Sequence, residues 1–312
     1  MQTKPIYPHK PIGSIKTLAK VLGLTEENLI KLANESDNYF FVAKQIEKPD
    51  KSIRYTYDVK KELKQIHEKI CNSFLRKVNY PDYIQGSVKG KDYLSNCKIH
   101  TNKKIVIKED ISNFFPSISK KVIHQIWTSF FKFPNDVSEL LSELVTFKGN
   151  LVQGAKPSSF LCNLVLWSRE SMLVEEFYKK GYIYTRYIDD ITICCAKNLS
   201  KKEQLYIIAK IYGMLKSIGV KPNRKKHNIM SNTVRQELHR VNLNTKKPTL
   251  PKKERNKIET AVFQLEQTYK TNIHIEQNKK LFDSTMGRVN MLKRIHPKKG
   301  QLLKERLQKL NK

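Results

Sequence analysis

The chain has 312 residues, and its 59 Lys and Arg face 29 Asp and Glu, a formal charge of +30 at pH 7. That balance sets it apart from an ordinary soluble enzyme and calls for a polyanionic partner, nucleic acid rather than lipid, while the length supports one large or two small domains. No apolar run is long enough to span a bilayer, Met1-Gln2-Thr3-Lys4-Pro5 lacks the apolar core of a signal peptide, and five cysteines without paired spacing read as reduced thiols. Membrane and disulfide-framework classes are thereby excluded, and a cytoplasmic location is expected.

The first twelve residues carry three prolines and read as extended. Ser14 caps a short amphipathic helix over 15–22 that ends at Gly23, and Thr25 caps a second to about Asn34. Two helices around a glycine turn also fit a helix-turn-helix. Nothing beyond the turn resembles a recognition helix, so a small helical cap is the better reading. Alternation over 39–57, split by Lys48-Pro49-Asp50-Lys51, predicts a hairpin with a charged turn that carries Arg54. A helix follows over 59–78 with Leu63, Ile66, Ile70 and Phe74 on its core face. Gly86 and Gly90, set among lysines before a short helix, suit a loop laid against a phosphate backbone. That helix closes on Asn96-Cys97-Lys98-Ile99-His100.

The β-branched run 104–109 delivers Asp110 at its end, with Phe114-Phe115 just beyond. Residues 120–147 read as helices that pack across a sheet. Then a loop with Gln153-Gly154 feeds one helix, opened by Pro157 and two serines and ending near Gly181. Gly154 permits close backbone approach, and the Gln153 amide suits nucleotide or template contacts. Next, two β-branched and aromatic runs over 182–195 meet at Asp189-Asp190, a hairpin whose turn carries both carboxylates. Held against a packed sheet, these anions would repel unless a cation sat between them, and a divalent metal is the simplest. From that stretch alone, a solvated acidic turn reads equally well. Asp110 on a neighbouring strand adds the third oxygen ligand of a site for two Mg²⁺ ions. A helix over 202–218 ends at Gly219, and the basic run Arg224-Lys225-Lys226-His227 follows. Residues 248–251 read as a linker, followed by basic helices near 253–268 and 278–295.

Asp110 with Phe114-Phe115, Gln153-Gly154, and Tyr187-Ile188-Asp189-Asp190 resemble the A, B and C motifs of reverse transcriptases, in order and at the usual separations. The Asn96-to-His100 element and the small size resemble bacterial retron enzymes. This resemblance implies an α+β right-hand polymerase fold. Residues 1–35 would form an N-terminal helical cap, 36–103 the fingers, 104–247 the palm and 248–312 a basic helical thumb that tracks a duplex. It implies RNA-directed DNA polymerase activity with Asp110, Asp189 and Asp190 as catalytic acids, and two Mg²⁺ held by Asp110, Ile111, Asp189 and Asp190. It further places Arg54, Phe115, Gln153, Gly154 and Lys226 at the incoming dNTP. Phe115 would be the ring that collides with a ribose 2′-OH, and Lys226 would lie near the leaving pyrophosphate. Asn96, His100, Arg240, Lys252 and Lys253 are the candidate RNA contacts. Where retron enzymes carry Val-Thr-Gly, this sequence has Leu238-His239-Arg240. The expected partners are a structured noncoding RNA, its branched RNA–DNA product, dNTPs and an effector protein encoded nearby in anti-phage defence. Two alternatives share parts of this pattern: an abortive-infection relative that is protein-primed or template-free, and a non-catalytic RNA-binding scaffold.

Overall fold

The computed structural model describes residues 3–48, 51–270 and 275–311. The chain divides into two compact units, Met1–Asn96 with Ile105–Ile229, and Cys97–Lys104 with Met230–Lys312.

In the first unit the extended N-terminal segment is pinned where Ile6 and Asn79 exchange backbone hydrogen bonds of 3.0 and 2.9 Å. Helix α1 (Ile15–Leu22) begins where the Ser14 hydroxyl accepts from Thr17 N and ends where Gly23 turns left-handed. Helix α2 (Glu26–Asn34) is capped in the same way by Thr25. Leu18, Leu22 and Leu29 join Leu63 and Ile70 in one core, so the two helices are a cap on that core. Strands β1 (Phe40–Glu47) and β2 (Ile53–Val59) form an antiparallel ribbon with a bulge between Val42 and Lys44. Pro49 and Asp50 of the expected charged turn lie outside the described residues. Helix α3 (Lys61–Ser73) buries Leu63, Ile66 and Ile70, and α4 (Tyr93–Ile99) leads to the sheet.

That sheet has the order β4-β5-β3-β6, from β3 (Ile105–Asp110), β4 (Ile183–Tyr187), β5 (Asp190–Cys195) and β6 (Asn228–Ser231). Around it pack α5 (Phe114–Ser117), α6 (Lys120–Gln125), α7 (Asn135–Val145), α8 (Ser158–Leu164), α9 (Glu170–Lys179) and α10 (Lys201–Lys216). The single helix expected after Gln153-Gly154 is two, α8 and α9. The break at 165–169 starts α9 at Glu170, which is buried against the sheet.

In the second unit β7 (Glu237–Leu238) and β8 (Val241–Asn242) pair antiparallel. Asn242 exchanges backbone hydrogen bonds of 2.8 and 3.1 Å with Thr249, so the segment 248–251 extends this hairpin and is no free linker. Helices α11 (Lys252–Lys270), α12 (Ile275–Ile295) and α13 (Pro297–Gln308) close a separate core around Ile258, Val262, Leu265, Val289, Leu292 and Leu303. The third of these helices was not expected, and the unit takes in Cys97–Lys104 together with Met230–Lys312. Among the described residues no helix is long and apolar enough to cross a membrane.

Candidate active site

Strand pairing brings the three aspartates together. Asp110 ends β3 directly opposite Asp190, the first residue of β5, and Tyr187 ends β4 on the other side of Asp190. The hairpin turn is therefore Ile188-Asp189, and Asp190 belongs to the strand, not to the turn as expected. Ile188 has φ 58, a left-handed value unusual for a β-branched residue. Asp189 O accepts from Ile111 N at 3.0 Å, which ties the turn to the end of β3.

The site concentrates negative charge in a partly desolvated place. Burial, then the charges of Asp190 and Asp110, push the Asp189 carboxyl up to about 6. Burial and Asp110 also raise Asp190, while Lys108 and Lys226 pull it back. The Lys226 ammonium stands 2.8 Å from Asp110 Oδ2, and Asn223 Nδ2 donates to Oδ1 at 3.0 Å. Lys226 is thereby held in its charged form, first by that hydrogen bond. On the other side of β3, buried Glu109 pairs with His227 Nδ1 at 2.6 Å and accepts from Tyr212.

Among the described residues no three His, Cys, Asp or Glu side chains gather closely enough to enclose an ion. Mg²⁺ does not ask for such a cage: it is commonly held by one or two carboxylates plus substrate phosphates and water. A cross-strand carboxylate pair with a third, proton-avid carboxylate beside it fits a hard divalent cation.

Close contacts surround the site, and among them Gly86 meets the turn itself. Gly154, at φ 113, lies so close to β2 that a Cβ would fall 2.2 Å from Tyr57 O. Gln153 O accepts from Tyr57 N at 2.8 Å. Gly86 was expected against a phosphate backbone, yet it lies against the turn, where a Cβ would be 2.8 Å from Ile188 N. Arg186 and Glu170 form a fully buried ion pair, with Nε 2.6 Å from Oε1. Arg186 sits in an alternating strand beside Tyr187, and only tertiary packing shows that it points inward.

A family model described as reverse transcriptase (RNA-dependent DNA polymerase) matches residues 46–270. Over 298 residues the chain is 32% identical to the Retron Se72 reverse transcriptase of Salmonella heidelberg (strain 579083-10), covering 94% of this chain and 78% of that protein. The chain belongs to the retron reverse transcriptases. The Retron Ec48 reverse transcriptase of Escherichia coli is 28% identical over 315 residues, covering 96% of this chain and 76% of that protein. Among solved structures, telomerase from Candida albicans in complex with the TWJ fragment of telomeric RNA aligns at TM-score 0.48 and 12% identity. That alignment covers 89% of this chain and 58% of the telomerase chain.

This retron reverse transcriptase is an RNA-directed DNA polymerase with the mixed α+β fold of its family. The other candidate residues fall into distinct places. Arg54 is exposed on β2 opposite Ile46, and Phe115 is half-buried beside Phe114, ring centroids 6.2 Å apart. Asn96 accepts from Thr185 of β4 at 2.7 Å. His100, in the second unit, is pushed by burial to about 3. Neither Asn96 nor His100, both candidate RNA contacts, has exposed surface. Arg240 is exposed in the turn between β7 and β8, and Lys252 and Lys253 line a groove of about 670 Å³ with Lys257 and Arg288.

Proposed function

We propose that this retron reverse transcriptase copies a structured noncoding RNA into DNA from the 2′-OH of a guanosine in that RNA. The product is a branched RNA–DNA hybrid that acts with an effector protein in anti-phage defence, in the bacterial cytoplasm. The observation that carries the reading is the facing of Asp110 and Asp190 on adjacent strands with Asp189 in the turn, in a chain 32% identical to the Retron Se72 enzyme. Asp110, Asp189 and Asp190, with Ile111 between the first and the turn, would hold two Mg²⁺, which supply Lewis acidity to the attacking hydroxyl and the departing oxygen.

The chain's own groups do the rest. Lys226, already donating to Asp110, has two further donors for the leaving pyrophosphate. Gln153-Gly154, fixed to Tyr57, forms a rigid shelf for the nucleotide, and exposed Arg54 offers a guanidinium to its phosphates. The Phe115 ring, braced by Phe114, excludes a ribose 2′-OH. Residues 36–103 act as fingers, 104–247 as palm and 248–312 as thumb, with 1–35 as the cap. Arg240 and the Lys252-Lys253 groove take the RNA backbone.

The test is to express the protein with its native flanking DNA, as wild type and as Asp189→Ala/Asp190→Ala. Bound nucleic acid is then run on a denaturing gel before and after RNase and debranching. A discrete small DNA that shortens on treatment and is absent from the variant supports the reading. RNA bound equally by both, with no DNA, contradicts it.

A further inference from the structure

Arg186 is a charged residue with no exposed surface, the last but one of β4. All five of its N–H donors are used. Nε donates to Glu170 Oε1 at 2.6 Å, and Nη2 to Glu170 Oε2 at 2.8 Å and to Asn163 O at 3.0 Å. Nη1 donates to Cys162 O at 3.1 Å and to Ile188 O at 3.2 Å. Cys162 and Asn163 close the last turn of α8, where carbonyls lack helical partners and carry the negative end of the helix dipole. Ile188 is the residue before Asp189, in a conformation that a β-branched residue keeps only when its surroundings impose it. One rigid plane therefore holds both the end of α8 and the carbonyl of the turn.

The frame is closed on two more sides. Asn163 Nδ2 donates to Gly86 O at 2.7 Å, and Gly86 lies against Ile188. Glu170 takes a third hydrogen bond from the Tyr184 hydroxyl at 2.7 Å, so it anchors the guanidinium and does not itself touch the turn. At its other end α8 follows directly from the Gln153-Gly154 loop.

We propose that Arg186 is a positioning residue for DNA synthesis: its guanidinium locks α8, and with it the Gln153-Gly154 loop, to the turn that presents Asp189 and Asp190. This rests on the proposed role of those aspartates, so Asp189→Asn is the control. If that variant keeps activity, the assignment of the aspartates fails first. If it loses activity, the Arg186 variants are read on their own.

The experiment uses the full chain with oligo(dT) on poly(rA), dTTP and Mg²⁺, and measures kcat, KM and Tm together. The variants are Arg186→Met with Glu170→Leu, Arg186→Lys, and Glu170→Gln. Replacing both charges by apolar groups of similar volume avoids stranding a buried charge, at the cost of the donor that the Cys162, Asn163 and Ile188 carbonyls lose. That paired variant is expected to stay folded with a lowered Tm but lose roughly 100-fold in kcat, with KM for dTTP changed less than about threefold. Glu170→Gln leaves the bond to Ile188 O available, so it should lower Tm yet keep kcat within about threefold. If the paired variant does not fold, Arg186→Lys carries the same contrast, because a lysine keeps the charge and loses the fork. The proposal is overturned if kcat survives in a folded Arg186 variant, or if kcat falls in step with Tm across all the variants.

Discussion

Gly86 is a glycine for lack of room, since a Cβ there would crowd both the backbone and the side chain of Ile188. Gly86→Ala must push the Ile188-Asp189 turn outward, and if that turn presents the reacting groups, displacements of about 1 Å cost about 10–100-fold in rate. A primer-extension kcat within about twofold of wild type would show that the turn has slack. Asp189 carries the complementary cost. Its folded value of about 6 lies above the ordinary 3.8, so the ionised carboxylate opposes folding. The penalty is full above about pH 6 and fades as pH falls toward 3.8, where both states are protonated. In metal-free buffer at pH 7.5, Asp189→Asn should raise Tm by a few degrees, on the order of 1–2 kcal/mol, with the gain shrinking by pH 4.5. A Tm that is unchanged or lower at pH 7.5 would mean that the three carboxylates do not strain the empty site.

The β7–β8 turn shows the same trade at the scale of an element. His239 and Arg240 have φ 50 and 64, both left-handed, and they join strands whose only loop residues they are. That is the torsional pattern of a tight hairpin turn, which glycine or asparagine fills at least cost. Arg240→Gly should stabilise the protein by about 1 kcal/mol and weaken RNA binding. A stabilised variant with unchanged RNA affinity would free Arg240 of the RNA role. The caps at Ser14 and Thr25 and the hairpin around Asp189 were legible because they depend on residues a few positions apart. Three features were not. The break between α8 and α9 is set by Glu170 turning toward Arg186, sixteen positions along the chain. Helix α13 contains Gly300, a residue of low helix propensity. That glycine is required because a Cβ there would meet Lys293 Cα at 2.2 Å. Of the candidate site, the three aspartates were readable from motif order. Gly86 and Arg186 were not, because sequence carries a residue's type but not which way a buried side chain points.

At the scale of the whole molecule, the +30 charge makes nucleic-acid binding a counterion-release process. Affinity for RNA should fall steeply and linearly on log–log axes with salt. Lys252→Gln/Lys253→Gln should flatten that slope by about two, one per lost phosphate contact. An unchanged slope would place the RNA away from the Lys252-Lys253 groove. The central claim is that Asp110, Asp189 and Asp190 carry out RNA-templated DNA synthesis. Its most direct test is single-nucleotide incorporation on primed RNA templates that differ only in the templating base, by wild type and by Asp110→Asn, Asp189→Asn and Asp190→Asn. Wild type should add only the complementary dNTP, and each variant should lose roughly 1,000-fold in rate while remaining folded. Addition that ignores the templating base, or a folded variant that stays active, would contradict the account.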